Sequence, residues 1–196
     1  MKTYTKTTIT TEPKLVIEYD TDAESPRKWD NLGYFITVDK NYRSPDGNDN
    51  IYNIVKETGE EATDQKDHIE RITKAINEQT DEKVLAIYPI VKHEHGNVVY
   101  RLGTAHGFDY SNNGFYIVTD KTAKLLGTPR ESFEKVITQE LEEYTKWANG
   151  EVYGFVLYDD NGEVDESCWG YYNIEDIRGS LPEEWKDEDL TAYIQQ

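Results

Sequence analysis

The alternation of hydrophobic and polar residues predicts a series of strands in the first 120 residues. Residues 14–20 and 33–39 alternate in the manner of half-buried strands. Residues 84–91 are continuously apolar, which is typical of a buried central strand, and Gly96 is placed to turn that strand into a hairpin partner. Residues 114–120 repeat the strand pattern.

Two longer segments have the periodicity of amphipathic helices. Within residues 60–79, isoleucines recur on one face at helical spacing. A second helix is predicted to begin with Thr128 as its N-cap and Pro129 at its first helical position. The pair Asn149-Gly150 is predicted to end it.

The C-terminal quarter predicts a hairpin followed by a short acidic helix. Residues 150–172 contain two strand-like halves around the turn pair Asn161-Gly162. We therefore expect a single α+β domain over residues 1–196, with a mostly antiparallel sheet of six to seven strands, two main helices and a short acidic C-terminal helix.

The charge of the chain is acidic and unevenly distributed. The formal net charge is -18; residues 1–100 carry 19 acidic and 13 basic side chains, whereas the acidic C-terminal portion, residues 139–196, carries 16 and 3. Such a field repels nucleic acid and anionic membranes, because binding phosphates requires Lys and Arg. The expected partner is therefore a basic protein surface, a cation or the nucleic-acid-binding cleft of another protein, with no direct binding of nucleic acid or membrane.

The compartment is predicted from what the sequence lacks. No run approaches the roughly 20 apolar residues that span a bilayer, the start of the chain has no apolar signal-peptide core, and the lone Cys168 excludes an internal disulfide. These features favour a cytoplasmic protein.

A cluster of histidines offers one route to chemistry. His93 and His95 lie two residues apart at a predicted strand end, so their side chains point to one face, and His106 and Asp109 follow after the next strand. Three imidazoles and a carboxylate suit zinc or iron. The alternative is a set of polar residues at a hairpin turn, and no HExxH or CxxC pattern accompanies them.

Nucleophilic catalysis is disfavoured. Asp165 and Glu166 precede Cys168 and would raise the pKa of its thiol, whereas a reactive cysteine needs neighbouring cations. Cys168 is instead predicted to be a small buried residue on the last strand. We expect a non-catalytic protein without a cofactor.

Aromatic residues are interleaved with carboxylates in the last third of the chain. Tyr and Trp are frequent anchors of interfaces, and spaced carboxylates can stand in for phosphates. The alternative is an ordinary solvated acidic surface. The residues predicted to contact a partner are Asp159, Asp160, Glu163, Asp165, Glu166, Glu183, Glu184, Asp187, Glu188 and Asp189.

Two stretches resemble an uncharacterised protein family of phages and conjugative elements. SPRKWDNLGYF, residues 25–35, is similar to its PRxWDNLG motif, and GEVYGFVLYDDNGEVDESCWGYY, residues 150–172, to its GEVYG…SCWG signature. The matching residues of most interest, with a structural or a functional role, are Trp29, Asp30, Asn31, Cys168 and Trp169.

The middle of the chain departs from that family. Its members carry a Cys-Pro-Trp-Asp-Ser-Gly motif, of which residues 103–118 keep only Asp109, Ser111 and Gly114. The resemblance therefore implies a phage or mobile-element origin, and no mechanism.

These observations predict a host-defence antagonist. The chain would bind a bacterial defence nuclease, as an anti-CRISPR or anti-restriction protein, and act as a DNA mimic. One alternative is a metal-dependent enzyme using the histidine cluster. Another is a sponge for a nucleotide signal, which requires Arg27, Lys28, Arg43 and Arg101 to converge on one pocket.

Overall fold

The computed structural model describes residues 14–39, 43–47 and 50–195. These residues form two compact units: a central unit, residues 25–149, and a terminal unit that joins residues 14–24 to residues 150–195. The division concerns packing and not independent folding, so the single domain stays a prediction.

The elements alternate between strands and helices along the chain. The strands are β1 (Lys14–Tyr19), β2 (Tyr34–Thr37), β3 (Val84–His95), β4 (Asn97–Leu102), β5 (Tyr110–Thr119), β6 (Tyr153–Tyr158) and β7 (Val164–Tyr171). The α-helices are α1 (Asn50–Glu60), α2 (Gln65–Gln79), α3 (Asp120–Leu126), α4 (Phe133–Ala148) and α5 (Ile174–Ile177). Short 3-10 helices include Pro26–Lys28, Arg130–Ser132, Arg178–Ser180, Glu183–Trp185 and Leu190–Tyr193.

The central unit has a sheet between two helical layers. Its four antiparallel strands run in the order β2-β5-β3-β4. One face packs on α4 through Phe35, Tyr116 and Ile137. The other face packs on α1 and α2 through residues such as Phe115 and Ile72. Helices therefore lie against both faces of the sheet, so most residues of β2 and of the second half of β5 are buried, whereas β4 exposes every second residue.

The terminal unit is thinner. Its three antiparallel strands run in the order β1-β6-β7. Residues of β1 and β6 pack against Ile177, Leu181 and Leu190 from the C-terminal helical segments. This unit therefore has one small core, on one face of its sheet.

The α+β class and the antiparallel pairing are confirmed, but the strands form two sheets. Three α-helices, α1, α3 and α5, were also missed, and the acidic tail predicted to be a short helix forms 3-10 turns at Glu183–Trp185 and Leu190–Tyr193 instead. In α1, Ile51, Ile54 and Val55 have helical spacing, but the segment is short and follows a run of turn residues. The helix predicted over residues 60–79 is α2, which begins one turn later, at the N-cap Asp64.

The predicted start of the second long helix was wrong. The backbone N–H of Thr128 donates to Ala123 O, 3.2 Å away, and so helps to close α3. α4 begins only at Phe133, after a 3-10 turn. Its end is as predicted, with Asn149 as C-cap and Gly150 at a φ of 71°.

The predicted turn of the last hairpin is confirmed. Gly162 has a φ of 78°, which favours glycine. The backbone N–H of Asp159 donates to Glu163 O at 2.8 Å and closes the turn. Among the residues described, no helix is both long and apolar enough to cross a membrane.

Candidate functional site

The negative charge of the chain belongs mainly to the terminal unit. The described residues of this unit carry 17 acidic and 3 basic side chains. Those of the central unit, which is about twice as long, carry 20 and 15. The acidic portion predicted from the sequence thus coincides largely with one structural unit.

All ten carboxylates predicted to bind a partner lie in this unit, and together they are called the acidic surface. Nine of the ten residues are exposed, and Asp159 is half-buried. They occupy three places in the fold: the turn between β6 and β7, strand β7 itself, and the C-terminal helical segment. The structure therefore presents these residues to solvent on one small scaffold.

Asp159 holds the hairpin turn in shape. Its carboxylate accepts hydrogen bonds from the backbone N–H groups of Asn161, at 2.8 Å, and Glu163, at 2.9 Å. The bond from Glu163, followed by those from Asn161, lowers the pKa of Asp159 below its ordinary value. Asp159 is therefore an ionised, structural member of the acidic surface.

Arg178 fixes the C-terminal segment. Its guanidinium contacts Glu175 Oε2 at 2.8 Å and also donates to the backbone carbonyls of Lys186 and, at 3.0 Å, Glu188. Lys186 in turn forms an ion pair with Glu183 at 2.9 Å. Both basic residues of this part of the chain thus hold its backbone carbonyls and carboxylates in position.

Two further carboxylates have local roles. Asp189 accepts hydrogen bonds from the side chain and the backbone N–H of Thr191, and these lower the pKa of Asp189. Glu188 accepts a hydrogen bond from the Tyr193 hydroxyl at 3.1 Å. Both interactions restrain the segment that carries the acidic surface.

The other exposed members leave their charge open to a partner. Among the described residues, five carboxylates of the acidic surface have no side-chain hydrogen bond or ion pair. They are Glu163, Asp165, Glu166, Glu184 and Asp187. These carboxylates could therefore contact a cation without first breaking a hydrogen bond or ion pair within the chain.

Part of the acidic surface lines a cleft of about 300 Å³ in the terminal unit. Asp160, Asp165 and Glu184 share its walls with Trp185. Carboxylates beside an aromatic ring suit Lys and Arg side chains, because the ring contacts the alkyl stem or the cation. The chemistry of the cleft thus agrees with a basic partner.

The predicted metal site does not assemble. His95 Nδ1 lies 3.5 Å from Asp109 Oδ2, but the ring of His93 packs against Tyr110, with ring centroids 4.7 Å apart. Within the part of the chain that the structure describes, no group of three or more His, Cys, Asp or Glu side chains is arranged to hold a metal ion. Alternation along the strand was therefore not sufficient to bring the four residues together, because the His93 ring packs on Tyr110.

His106 lies in a different environment. It lines a polar cleft of about 440 Å³ together with His68, Thr104 and Asn112. His68 is buried, and its Nε2 lies 3.0 Å from Val55 O, while the side-chain amide of Asn112, on β5, exchanges two hydrogen bonds with the backbone of Ala105. His68 and Asn112 are therefore engaged in holding local structure.

The PRKWDNLG segment is organised around Arg27, a residue that the sequence analysis treated only as a possible ligand contact. The Arg27 side chain is 4% exposed and forms ion pairs with Asp46, at 2.6 Å, and Glu140, at 3.0 Å. It also donates to Asn31 Oδ1 and to Gly33 O, each at 2.7 Å. Arg27 is therefore not free to bind a nucleotide.

Tyr116 and the backbone complete this buried network. The Tyr116 hydroxyl donates to Glu140 and accepts from the backbone N–H of Gly33, at 3.0 Å. Burial raises the pKa of Tyr116 well above its ordinary value. Burial alone would lower the pKa of Arg27, but the hydrogen bond and charge of Asp46 raise it instead. The network stays ionised at Arg27 and supports a structural role for this motif.

A nucleotide sponge would require Arg27, Lys28, Arg43 and Arg101 to line one pocket. Two of these four residues, Arg27 and Arg101, do not come together. Arg27 is held in the buried network that leads into β2. Arg101 lies on β4, at the opposite edge of the sheet, where its guanidinium is 5.7 Å from the centroid of Tyr110.

The remaining motif residues are at the surface. Trp29 is 47% exposed, and Trp29, Asp30 and Asn31 line a shallow cleft of about 380 Å³ in the central unit. Cys168 is exposed, so the prediction of a buried cysteine was wrong. β7 is an edge strand, and only one side of it is covered by β6.

Trp169 explains one glycine of the second signature. Its ring lies directly over Gly154, where an added Cβ would be 2.1 Å from the ring. The ring is nevertheless 44% exposed. The glycine therefore allows the Trp169 ring to lie flat on β6, with much of its surface open.

Comparisons with protein-family models, with curated proteins and with solved structures found no match for this chain. What it does is therefore inferred from its own residues.

Proposed function

We propose that this chain is a non-catalytic binding protein that occupies the nucleic-acid-binding surface of a basic protein. The acidic surface makes the contact, and its carboxylates take the place of backbone phosphates. The central unit supplies a stable scaffold and no catalytic group.

The separation of charge between the two units carries the proposal. Among its described residues, the terminal unit has 17 acidic and 3 basic side chains. Two of these three basic residues are already engaged within the chain: Arg178 donates to a backbone carbonyl, and Lys186 forms an ion pair with a carboxylate. Charge of one sign at this density is unfavourable to the folded state through self-repulsion. A basic partner would relieve that repulsion on binding.

The resemblance to a phage and conjugative-element family supports a particular partner. A mobile element entering a bacterium meets nucleases that carry basic nucleic-acid channels. We therefore propose a host-defence antagonist that acts in the bacterial cytoplasm as an anti-CRISPR or anti-restriction protein. Charge complementarity of this kind accelerates association and makes it sensitive to salt.

The proposal is tested with the tagged chain as bait in bacterial lysate, with and without competing duplex DNA. The test variant replaces the five carboxylates without intramolecular side-chain partners by their amides, at Glu163, Asp165, Glu166, Glu184 and Asp187. The matched control neutralises five exposed glutamates of the central unit, at Glu57, Glu60, Glu78, Glu131 and Glu142.

The expected result is capture of a nucleic-acid-binding protein that DNA displaces. The affinity should fall by about 100-fold or more in the test variant, because desolvated charge pairs are lost. It should change less than about threefold in the control, which removes the same total charge from the other unit. Equal loss in both variants, or capture that DNA does not displace, would contradict mimicry by the acidic surface.

A further inference from the structure

The two sheets have four edges among the described residues, and three of them have hydrogen-bond partners. On β1, Ile17 O accepts from the backbone N–H of Gln195 at 2.8 Å. On β2, Phe35 N–H donates to Asp46 Oδ2 at 2.6 Å, and Thr37 N–H donates to Ser44 Oγ at 3.0 Å. The chain thus covers the outer backbone of these two strands with its own loops.

The β4 edge is covered by a helix. Val98 N–H donates to Asn149 Oδ1 at 2.9 Å, and Val98 O accepts from Asn149 Nδ2 at 2.8 Å. Tyr100 N–H donates to Thr145 Oγ1 at 3.1 Å. Side chains of α4 therefore take the place of a further strand.

The fourth edge, on β7, is open. Among the described residues, its outer backbone has one contact, from Cys168 Sγ to Trp169 O at the long distance of 4.0 Å. All of β7 from Val164 to Gly170 is exposed. Unpaired N–H and C=O groups in a row form a template for another extended segment.

The regular part of this edge is short and chemically distinct on its two sides. Register shifts at Asp165 and Gly170 leave Glu166–Trp169 in unbroken pairing with β6. Glu166 pairs with Leu157 and lies on the side that packs against the C-terminal segment, whereas Trp169 lies over Gly154 on the other side. A segment added here would meet carboxylates on one side and an indole ring on the other.

The charge of the unit selects among possible occupants. A second copy would bring another strongly acidic unit against this one, which like-charge repulsion opposes. Acidic residues and bulges on an edge are known devices against self-pairing. A segment with Lys and Arg on its carboxylate-facing side avoids that repulsion and pairs with Glu166 and Asp165.

We infer that the open edge of β7 is a docking site for an extended, Lys/Arg-bearing segment of a partner protein, which adds to the three-stranded sheet as a fourth strand. The identity of that partner as a nucleic-acid-binding protein rests on the proposed function. The strand addition itself rests on the edge. Main-chain hydrogen bonds would supply affinity, and the two sides of β7 would supply specificity.

The inference is tested with the full-length chain and an acetylated, amidated peptide of sequence Lys-Thr-Arg-Val-Lys-Thr-Arg-Val. A second peptide is N-methylated at its amides, so it keeps the charges but cannot donate main-chain hydrogen bonds. Calorimetry at 50 mM salt measures affinity, and NMR measures exchange of the β7 amides. Glu166→Gln reports on charge, and Asp22→Asn, exposed at the far end of the sheet beyond β1, is its matched control.

We expect the parent peptide to slow exchange in Glu166–Trp169, and N-methylation to weaken binding at least about tenfold. Glu166→Gln should weaken binding more than Asp22→Asn. Equal binding of both peptides without protection of β7, or no binding of the parent peptide at 1 mM, would overturn strand addition.

Protection that is present without peptide and is lost on dilution would show a second copy at this edge, and would also overturn the inference. Each of these failures leaves capture of a DNA-displaced partner by the acidic surface untouched. Conversely, an empty capture experiment with intact peptide addition would remove the proposed function and leave the edge site.

Discussion

The two units of this chain place their charged residues differently. The central unit places a charged group inside: Arg27 is buried with Asp46 and Glu140, and the polar network is closed by Tyr116. The terminal unit keeps its charge outside, with 17 acidic side chains opposed by only 3 basic ones among its described residues.

Their sheets differ in the same sense. The central sheet is packed against helices on both faces and bonded along both edges, whereas the terminal sheet, among the described residues, has one core and one open edge. Buried contacts and edge hydrogen bonds are thus concentrated in the central unit, whereas the unpaired carboxylates and unpaired backbone groups discussed above lie in the terminal unit. Unsatisfied charge and backbone are what a binding partner can use.

The largest expected effect disrupts the central unit from inside. Arg27→Met should lower the free energy of unfolding by about 3–5 kcal/mol, because it leaves two carboxylates that are only 15% and 13% exposed without their cation. Urea denaturation followed by tryptophan fluorescence measures the change.

The matched control is Arg71→Met, on the surface of α2. Arg71 is 39% exposed and pairs with Asp67 and Glu61 in solvent, so its loss should have little effect. Similar destabilisation by both variants would show that the Arg27 network does not distinguish the central unit.

The next effect tests the terminal unit through salt. Association with the proposed basic partner should slow by about tenfold or more between 50 and 300 mM NaCl, since screening shortens the reach of the acidic surface. Stopped-flow measurements give the rate constant. The variant with five neutralised carboxylates should show a flatter dependence, and an unchanged slope would argue against electrostatic steering by these residues.

A smaller effect is expected when part of the β4 edge of the central sheet is opened, so that it resembles the β7 edge of the terminal sheet. Asn149→Ala removes both side-chain bonds to Val98 and uncovers the β4 edge at that residue, while the bond from Tyr100 to Thr145 remains. Stability should fall by about 1–2 kcal/mol, and amide exchange at Val98 should accelerate. Thr138→Val, whose hydroxyl bonds only within α4, is the control. Unchanged exchange at Val98 would mean that Asn149 does not protect this edge.

The smallest effect concerns pH and the hairpin of the terminal unit. Because the pKa of Asp159 is lowered in the folded chain, its contribution to the turn is fully present above the ordinary value of 3.8 and is lost as the pH falls through the lowered value. Carbon NMR of the Asp159 carboxyl should give a midpoint below 3.8.

The amide signals of Asn161 and Glu163 should follow the same titration, since both groups donate to this carboxylate. In Asp159→Asn that transition should disappear from both amides. A midpoint at or above the ordinary value would show that the carboxylate does not hold the turn.

Local patterns were sufficient for much of the fold. The Asn161-Gly162 turn, the end of α4 at Asn149 and the inner strand β3 each depend on conformational preferences within a few residues, although β3 is fully buried only around Ile90 and Val91. The start of α4 was mispredicted because Thr128 is used by a preceding helix, whose presence could not be judged from the Thr-Pro pair alone.

The candidate site divides in the same way. The sequence located the ten carboxylates, since charge adds along the chain whatever the fold. It did not reveal that Arg27 is buried with Glu140, more than 100 residues away, or that His93 packs on Tyr110 and leaves the histidine cluster unformed. Contacts between distant residues depend on which faces meet.

By itself, the sequence determined the class of fold and the sign of the charge, because these follow from residue type and short-range periodicity. Only the tertiary structure decided that the strands form two sheets, that the excess charge belongs to one unit, and that the described residues leave the outer edge of β7 open. Those properties depend on the pairing of segments far apart in the chain, and hydrogen bonds and burial between such segments leave no periodic signal in the sequence.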